Sequence, residues 1–146
     1  MLQEMIKVTG KLNIQLFDKS GALKDSRDVE NLVVAVGKEF IASRMVGTAA
    51  AVMSHMAVGT DSTAAVVGNV SLGAEQARVA LTSGTASGAV ATYVASFPAG
   101  TGTGALVEAG IFNASPSGTM LCRTVFSVVN KGADDAMAIT WQITVS

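Results

Sequence analysis

Residues 137–145, MAITWQITV, alternate without a break. Met137, Ile139, Trp141, Ile143 and Val145 fall on one side, and Ala138, Thr140, Gln142 and Thr144 on the other. Period-two alternation of this length specifies a strand with one dry face and one wet face. The N-terminal region repeats the pattern, with Ile6, Val8, Leu12, Ile14 and Leu16 set between Lys7, Thr9, Lys11, Asn13 and Gln15. Gly10 interrupts it, which predicts a bulge or bend there. The segment DKSG (18–21) supplies the side-chain oxygen and the positive φ of a tight turn. Residues 22–32 then return as a second strand.

Between 32 and 46 the alternation stops. Val33, Val36, Phe40, Ile41 and Met45 recur at a three-to-four spacing, with Lys38, Glu39 and Arg44 between them. The spacing predicts one amphipathic helix over about residues 33–46, with Asn31 as N-cap and Gly47 as its stop. Gly37 inside it costs roughly 1 kcal/mol relative to alanine. Beyond Gly47 the pattern is β again, over 53–59, 77–83, 89–97, 105–113, 120–130 and 137–146. These runs are separated by GTDST, GTASG, PAGTGTG, ASPSG and KGADD. With the N-terminal pair this makes about eight strands, and crossover helices are missing. The chain therefore reads as a single mainly β domain over 1–146, an antiparallel sandwich or barrel with one short helix, the favoured version being a β-sandwich of jelly-roll type. On 120–129, Met120, Cys122, Phe126 and Val128 share one face, while Leu121, Val125 and Val129 share the other. A strand apolar on both faces needs two covers, the helix or another subunit.

Composition removes several classes of function. One cysteine, Cys122, and one histidine, His55, allow neither an internal disulfide nor the usual zinc sites. Lys and Arg number 10 against 11 Asp and Glu, are scattered, and have few aromatics near them, which argues against nucleic-acid binding. No run of about 18 apolar residues is present for a spanning helix. The opening MLQEMIKVTG carries Glu4 and lacks the apolar centre of a signal peptide. Charged residues make up 14% of the chain, sparse for an enzyme that must gather ionisable groups in one cleft.

The residues that could carry chemistry read more simply as structure. GTGTGALVEAGIF (100–112) lacks the G-x-G-x-x-G spacing, a P-loop lysine and a following helix, so it reads as a hairpin turn feeding a strand. Glu108 in that strand is expected to bond turn amides or to pair with Arg123 across the ASPSG turn, rather than to act as a general base. Cys122 reads as a small buried hydrophobe, and neither it nor Ser127 has a recognisable activating partner, His55 included. Asp134 and Asp135 in KGADDA read as solvated turn carboxylates, too few for calcium. Met53 and Met56, either side of His55, read as packing. The chain is thus expected to hold no catalytic, cofactor-binding or metal-binding residues.

The segments KLNIQLFD, ENLVVAVGKEFIASRMVG, HMAVGT, LGAEQARVAL, FPAGTGTGALVEAGIFN and MLCRTVFSVVNKGADDAMAITWQITVS together resemble virion structural proteins of tailed bacteriophages. The likeness is to the small proteins that decorate or cement the capsid shell, with some similarity to tail-fibre segments carrying an EAGIF-like strand. It runs from about residue 10 to 146. It implies a non-enzymatic protein that binds the outside of the shell and bridges neighbouring major capsid protein subunits. It also implies self-association as a homodimer or homotrimer, a virion location after synthesis in the host cytoplasm, and no membrane or nucleic-acid partner. The alternative it leaves is a receptor-binding module of a phage tail.

Overall fold

The computed structural model describes residues 4–47 and 50–146. Residues 1–3, the start of the N-terminal stretch considered above, and residues 48–49 lie outside the described residues. The elements are β1 (Val8–Phe17), β2 (Leu23–Val33), α1 (Ala35–Met45), β3 (His55–Gly59), β4 (Glu75–Ala80), β5 (Ser83–Ser87), β6 (Val90–Phe97), β7 (Gly104–Phe112), β8 (Met120–Lys131) and β9 (Ala136–Val145). All neighbouring strands are antiparallel. Hydrogen bonds join the nine strands of the described residues into one curled sheet, a half-barrel, in the order β4-β3-β7-β8-β2-β1-β9-β6-β5.

The mainly β, antiparallel character with one short helix follows from the alternation. The finer expectation, two separate sheets in a jelly roll, is replaced by one sheet, and the reason lies in β2. Its residues 23–31 pair with β1, whereas only Leu32 and Val33 pair with β8, against Arg123 and Cys122. Beyond that point β2 and β8 diverge, and side chains take over from the backbone ladder. Thr124 Oγ1 donates to Glu30 O at 2.7 Å. Arg27 donates to the carbonyls of Ser127 and Val128, and its guanidinium is held by Asp25 at 2.9 Å. The two halves stay one sheet because an arginine and a threonine satisfy carbonyls at the seam.

The ninth strand is β5, over residues assigned above to a turn, because GTASG has turn composition. It forms a two-residue-loop hairpin with β6, and Gly88 in that loop has φ +56°. Only Leu81 and Thr82 separate β4 from β5, although the two strands lie at opposite ends of the sheet. The sheet is therefore curled far enough for its edges to meet at that corner. GTGTG is likewise no hairpin turn, since β6 and β7 are not neighbours. It crosses between the two halves, and a Cβ on Gly102 would press on Val58 at 3.2 Å and Ala77 at 3.5 Å.

Inside the curl lies the main core, with Leu12, Ile14, Phe97, Ile111, Ile139 and Trp141 among its members. Gly10 makes no bulge, because the Asn31 side chain fills the space its Cβ would take, with Oδ1 at 2.0 Å from that point. Val34 rather than Asn31 takes the N-cap position, without a side-chain cap; the helix stops at Met45, which is exposed, two residues before Gly47 with φ +69°. Gly37 has a packing reason: a Cβ there would stand 2.0 Å from the Leu121 carbonyl of β8. Phe40 and Ile41 pack against the core.

Part of the two-faced pattern on β8 is answered within the chain, while Val128 stays 41% exposed. Register shifts opposite Leu106–Glu108 and Ile111–Phe112 break the alternation, so Leu121, Cys122 and Val129 all reach the main core. Met120 turns to the outer face, into a second cluster with Val34, Ala57, Leu72 and Phe112.

Candidate functional site

The outer face of β3, β7 and β8 carries a buried ion pair, and it is built from a diagonal. β7 and β8 place Gly110 opposite Arg123 and Glu108 opposite Val125, so Glu108 and Arg123 are diagonal neighbours on one face. Arg123 Nη2 and Nε stand 3.1 and 3.2 Å from Glu108 Oε1. Glu108 is fully buried and Arg123 is 2% exposed. The remaining acceptor positions of the carboxylate are filled by the chain that crosses above it. Gly73 donates its N–H to Oε1 at 2.9 Å, while Asp61 and Ala74 donate theirs to Oε2 at 2.9 and 2.8 Å. Both alternatives expected for Glu108, turn amides and Arg123, are thus realised together.

Arg123 is held from its other side in turn. Its Nη1 donates to Asn69 Oδ1 at 3.2 Å and its Nη2 to the Asp61 carbonyl at 3.4 Å, with the Asp61 carboxylate 3.7 Å away. The Asp61 carboxyl is held below the usual carboxylate range, first by the Thr63 N–H and hydroxyl and then by Arg123. Two glycines make room for the arrangement. A Cβ on Gly59 would lie 2.5 Å from Glu108 Oε2, and one on Gly73 would lie 1.6 Å from Asp61 Oδ2.

This network fastens the segment 60–74 over the sheet. Leu72 is the segment's inward anchor, packed in the second cluster, and Val67 O accepts from Ala35 N at 2.7 Å, joining the segment to the start of α1. The outward side is apolar. Val66, Val67 and Val70 are 55%, 54% and 60% exposed, beside exposed Ala64 and Gly68. Three valines presented to solvent from a segment fixed by buried charge make an exposed apolar patch whose backbone is already ordered.

Comparison with protein-family models, curated proteins and solved structures finds no match for this chain.

The other candidate residues are kept apart. Cys122 is fully buried on the core side, where burial pushes its thiol far above the ordinary range. His55 lies on β3 next to Met56, which faces the core, so its ring is on the outer side with Ser54 Oγ 2.8 Å from Nδ1. The sheet separates the two. Ser127 is exposed and its carbonyl serves Arg27. Met53 and Met56 are core residues.

Asp134 is exposed, as a turn carboxylate should be, but Asp135 is a correction: it is 5% exposed and structural. Asp135 Oδ2 accepts from Gly132 N at 2.7 Å and from Lys24 Nζ at 2.8 Å. Among the described residues no three His, Cys, Asp or Glu side chains gather as a metal site. Glu108, with five N–H groups on two oxygens, has no lone pair left for a substrate proton. Sequence reasoning missed the segment 60–74 itself, and its signal was AAVVGNV, an apolar stretch without charge placed between turn residues.

Proposed function

We propose that this chain is a structural binding module of a tailed-phage virion. It attaches to the outside of the capsid shell and bridges neighbouring major capsid protein subunits, with the 60–74 segment as a contact surface. The observation that carries the reading is the exposed trio Val66, Val67 and Val70 on a segment fastened from beneath by Glu108 and Arg123. A shell-binding protein acts in many copies, so a modest apolar contact per copy suffices when avidity multiplies it. Burying the exposed half of one valine side chain contributes about 1 kcal/mol, or roughly fivefold in affinity per copy. The resemblance of the sequence to capsid cement proteins points the same way.

The test is binding of the purified chain to assembled shells that lack it. Stoichiometric binding that raises the thermal endurance of the shells is the expected result. Val66→Asp with Val70→Asp should weaken binding tenfold or more while leaving the melting temperature of the free protein unchanged. Shells unaltered in composition and endurance would sink the reading. Electron microscopy of intact virions then separates shell from tail, and density on the tail would favour a receptor-binding module instead.

A further inference from the structure

The two edges of the sheet are built differently. At β4, Glu75 and Arg78 pair at 2.6 Å, and the Arg78 guanidinium lies 3.8 Å from the centre of the Phe112 ring. It also donates to the Ala114 carbonyl at 2.8 Å. Charge and a clamped side chain of this kind protect an edge against other strands. The β5 edge has no such device. No charged residue occurs between Arg78 and Glu108, a span that holds the whole β5–β6 hairpin. All five residues of β5 are exposed, and among the described residues no strand lies beyond it.

We propose that β5 pairs antiparallel with the β5 of a second copy, about a twofold axis through Thr85. The sequence SGTAS matches its own reverse by residue type. About that axis Ser83 faces Ser87 of the second copy, Gly84 faces Ala86, and Thr85 faces Thr85. Every pair is alike in size and polarity, and no charge is set against another. The β4 edge, EQARVA, lacks this symmetry, since folding it onto itself sets Arg78 against Ala77 and Glu75 against Ala80.

The register with β6 puts Gly84 opposite Tyr93 and Ala86 opposite Ala91, both of which pack on the core. Ser83, Thr85 and Ser87 therefore line the outer face, where Thr–Thr and Ser–Ser neighbours across the axis can exchange hydrogen bonds. On the inner face an apolar groove of about 260 Å³, between α1 and the sheet, reaches the edge at Ala86. The groove of a second copy would continue it. The isologous contact selects a dimer over a trimer. The inference does not depend on the proposed attachment to a shell.

The test uses the free protein, so its failure and a failure to bind shells are separate results. Sedimentation across micromolar to sub-millimolar concentration should give a monomer–dimer equilibrium. Thr85→Lys sets two like charges face to face and should weaken the dimer about tenfold or more. Asn130→Lys, at an exposed position of β8, should leave it unchanged. Thr85→Cys should form a disulfide-linked dimer under mild oxidant, because directly opposed residues have Cα atoms about 4.5–5.5 Å apart. Ser83→Cys should not, since its two copies would lie roughly 13 Å apart along the strands. Cys122, the only natural cysteine, is buried and does not compete. A monomer at every concentration, a trimer, or equal cross-linking by both cysteine variants would overturn the proposal.

Discussion

Among the described residues two charged clusters are buried, one beneath residues 60–74 and one beneath the KGADD corner, and they hold their charge in different ways. Under the segment, carboxylate meets guanidinium directly, Glu108 to Arg123 at 3.1 Å, and backbone N–H groups fill the remaining acceptor positions. At the corner, the buried Lys131 ammonium donates to two carbonyls, Pro98 O at 2.9 Å and Asp135 O at 2.7 Å. The Asp135 carboxylate is turned instead to Lys24 and Gly132. Lys131 is thus countered at one remove. Burial pushes its pKa below the usual lysine value, and Asp135 pulls it part of the way back. The first cluster presents an exposed surface, while the second sews the β6–β7 connection to the β8–β9 corner. A charge buried against its opposite is the more sensitive to loss of a partner, because what remains is an uncompensated charge.

Glu108 is the most sensitive position of the two clusters. Glu108→Gln keeps the shape but leaves Arg123 without its buried counter-charge, and should cost about 3–5 kcal/mol of unfolding free energy. Denaturant titration measures the loss. The double variant with Arg123→Met should cost less than the sum of the two single changes, since the pair acts as one unit. Lys131→Met ranks next. It removes a charge that was held by neutral groups and leaves two carbonyls without a donor, a loss of about 1–3 kcal/mol. If Lys131→Met proves as damaging as Glu108→Gln, the distinction between the two clusters fails.

How much of this was legible in the sequence differs between the clusters for a physical reason. Glu108 and Arg123 are separated by one hairpin turn, so their meeting is a local consequence of ASPSG pairing β7 with β8. The amides of Asp61, Gly73 and Ala74 left no trace, because a backbone donor is the same in every residue. Lys24 and Asp135 lie 111 residues apart, and nothing local announces their contact. Strand alternation located most strands but could not count sheets, because whether β2 joins two halves depends on a seam held by Arg27 and Thr124. GTASG has the composition of a turn, and the strand conformation of its first four residues comes from pairing with β6.

Acid sharpens the contrast next. The Asp135 carboxyl is held below its ordinary value of 3.8, first by Lys24, then by the Gly132 N–H. A carboxyl depressed in the folded state contributes stability that is complete above about pH 3.8 and is lost as pH falls through the folded value. The stability gap between the natural protein and Asp135→Asn should therefore be widest at neutral pH and shrink below that value. Urea midpoints at pH 7 and pH 3 measure it, and a gap constant with pH would remove the charge from the account.

The smallest effect belongs to Lys24, the outermost member of the corner. Its side chain is 44% exposed, so the 2.8 Å contact with Asp135 is screened by water on one side. Lys24→Met should cost about 0.2–1 kcal/mol, and added salt should reduce the difference further. Its value lies in the coupling. If Lys24 is what orients the Asp135 carboxylate, Lys24→Met should flatten the acid dependence seen at Asp135, and the neutral-pH stability it costs should match the acid dependence it removes. If the Gly132 N–H is enough to hold the carboxylate, the acid dependence will survive without Lys24, and the corner reduces to a turn closed by its own backbone.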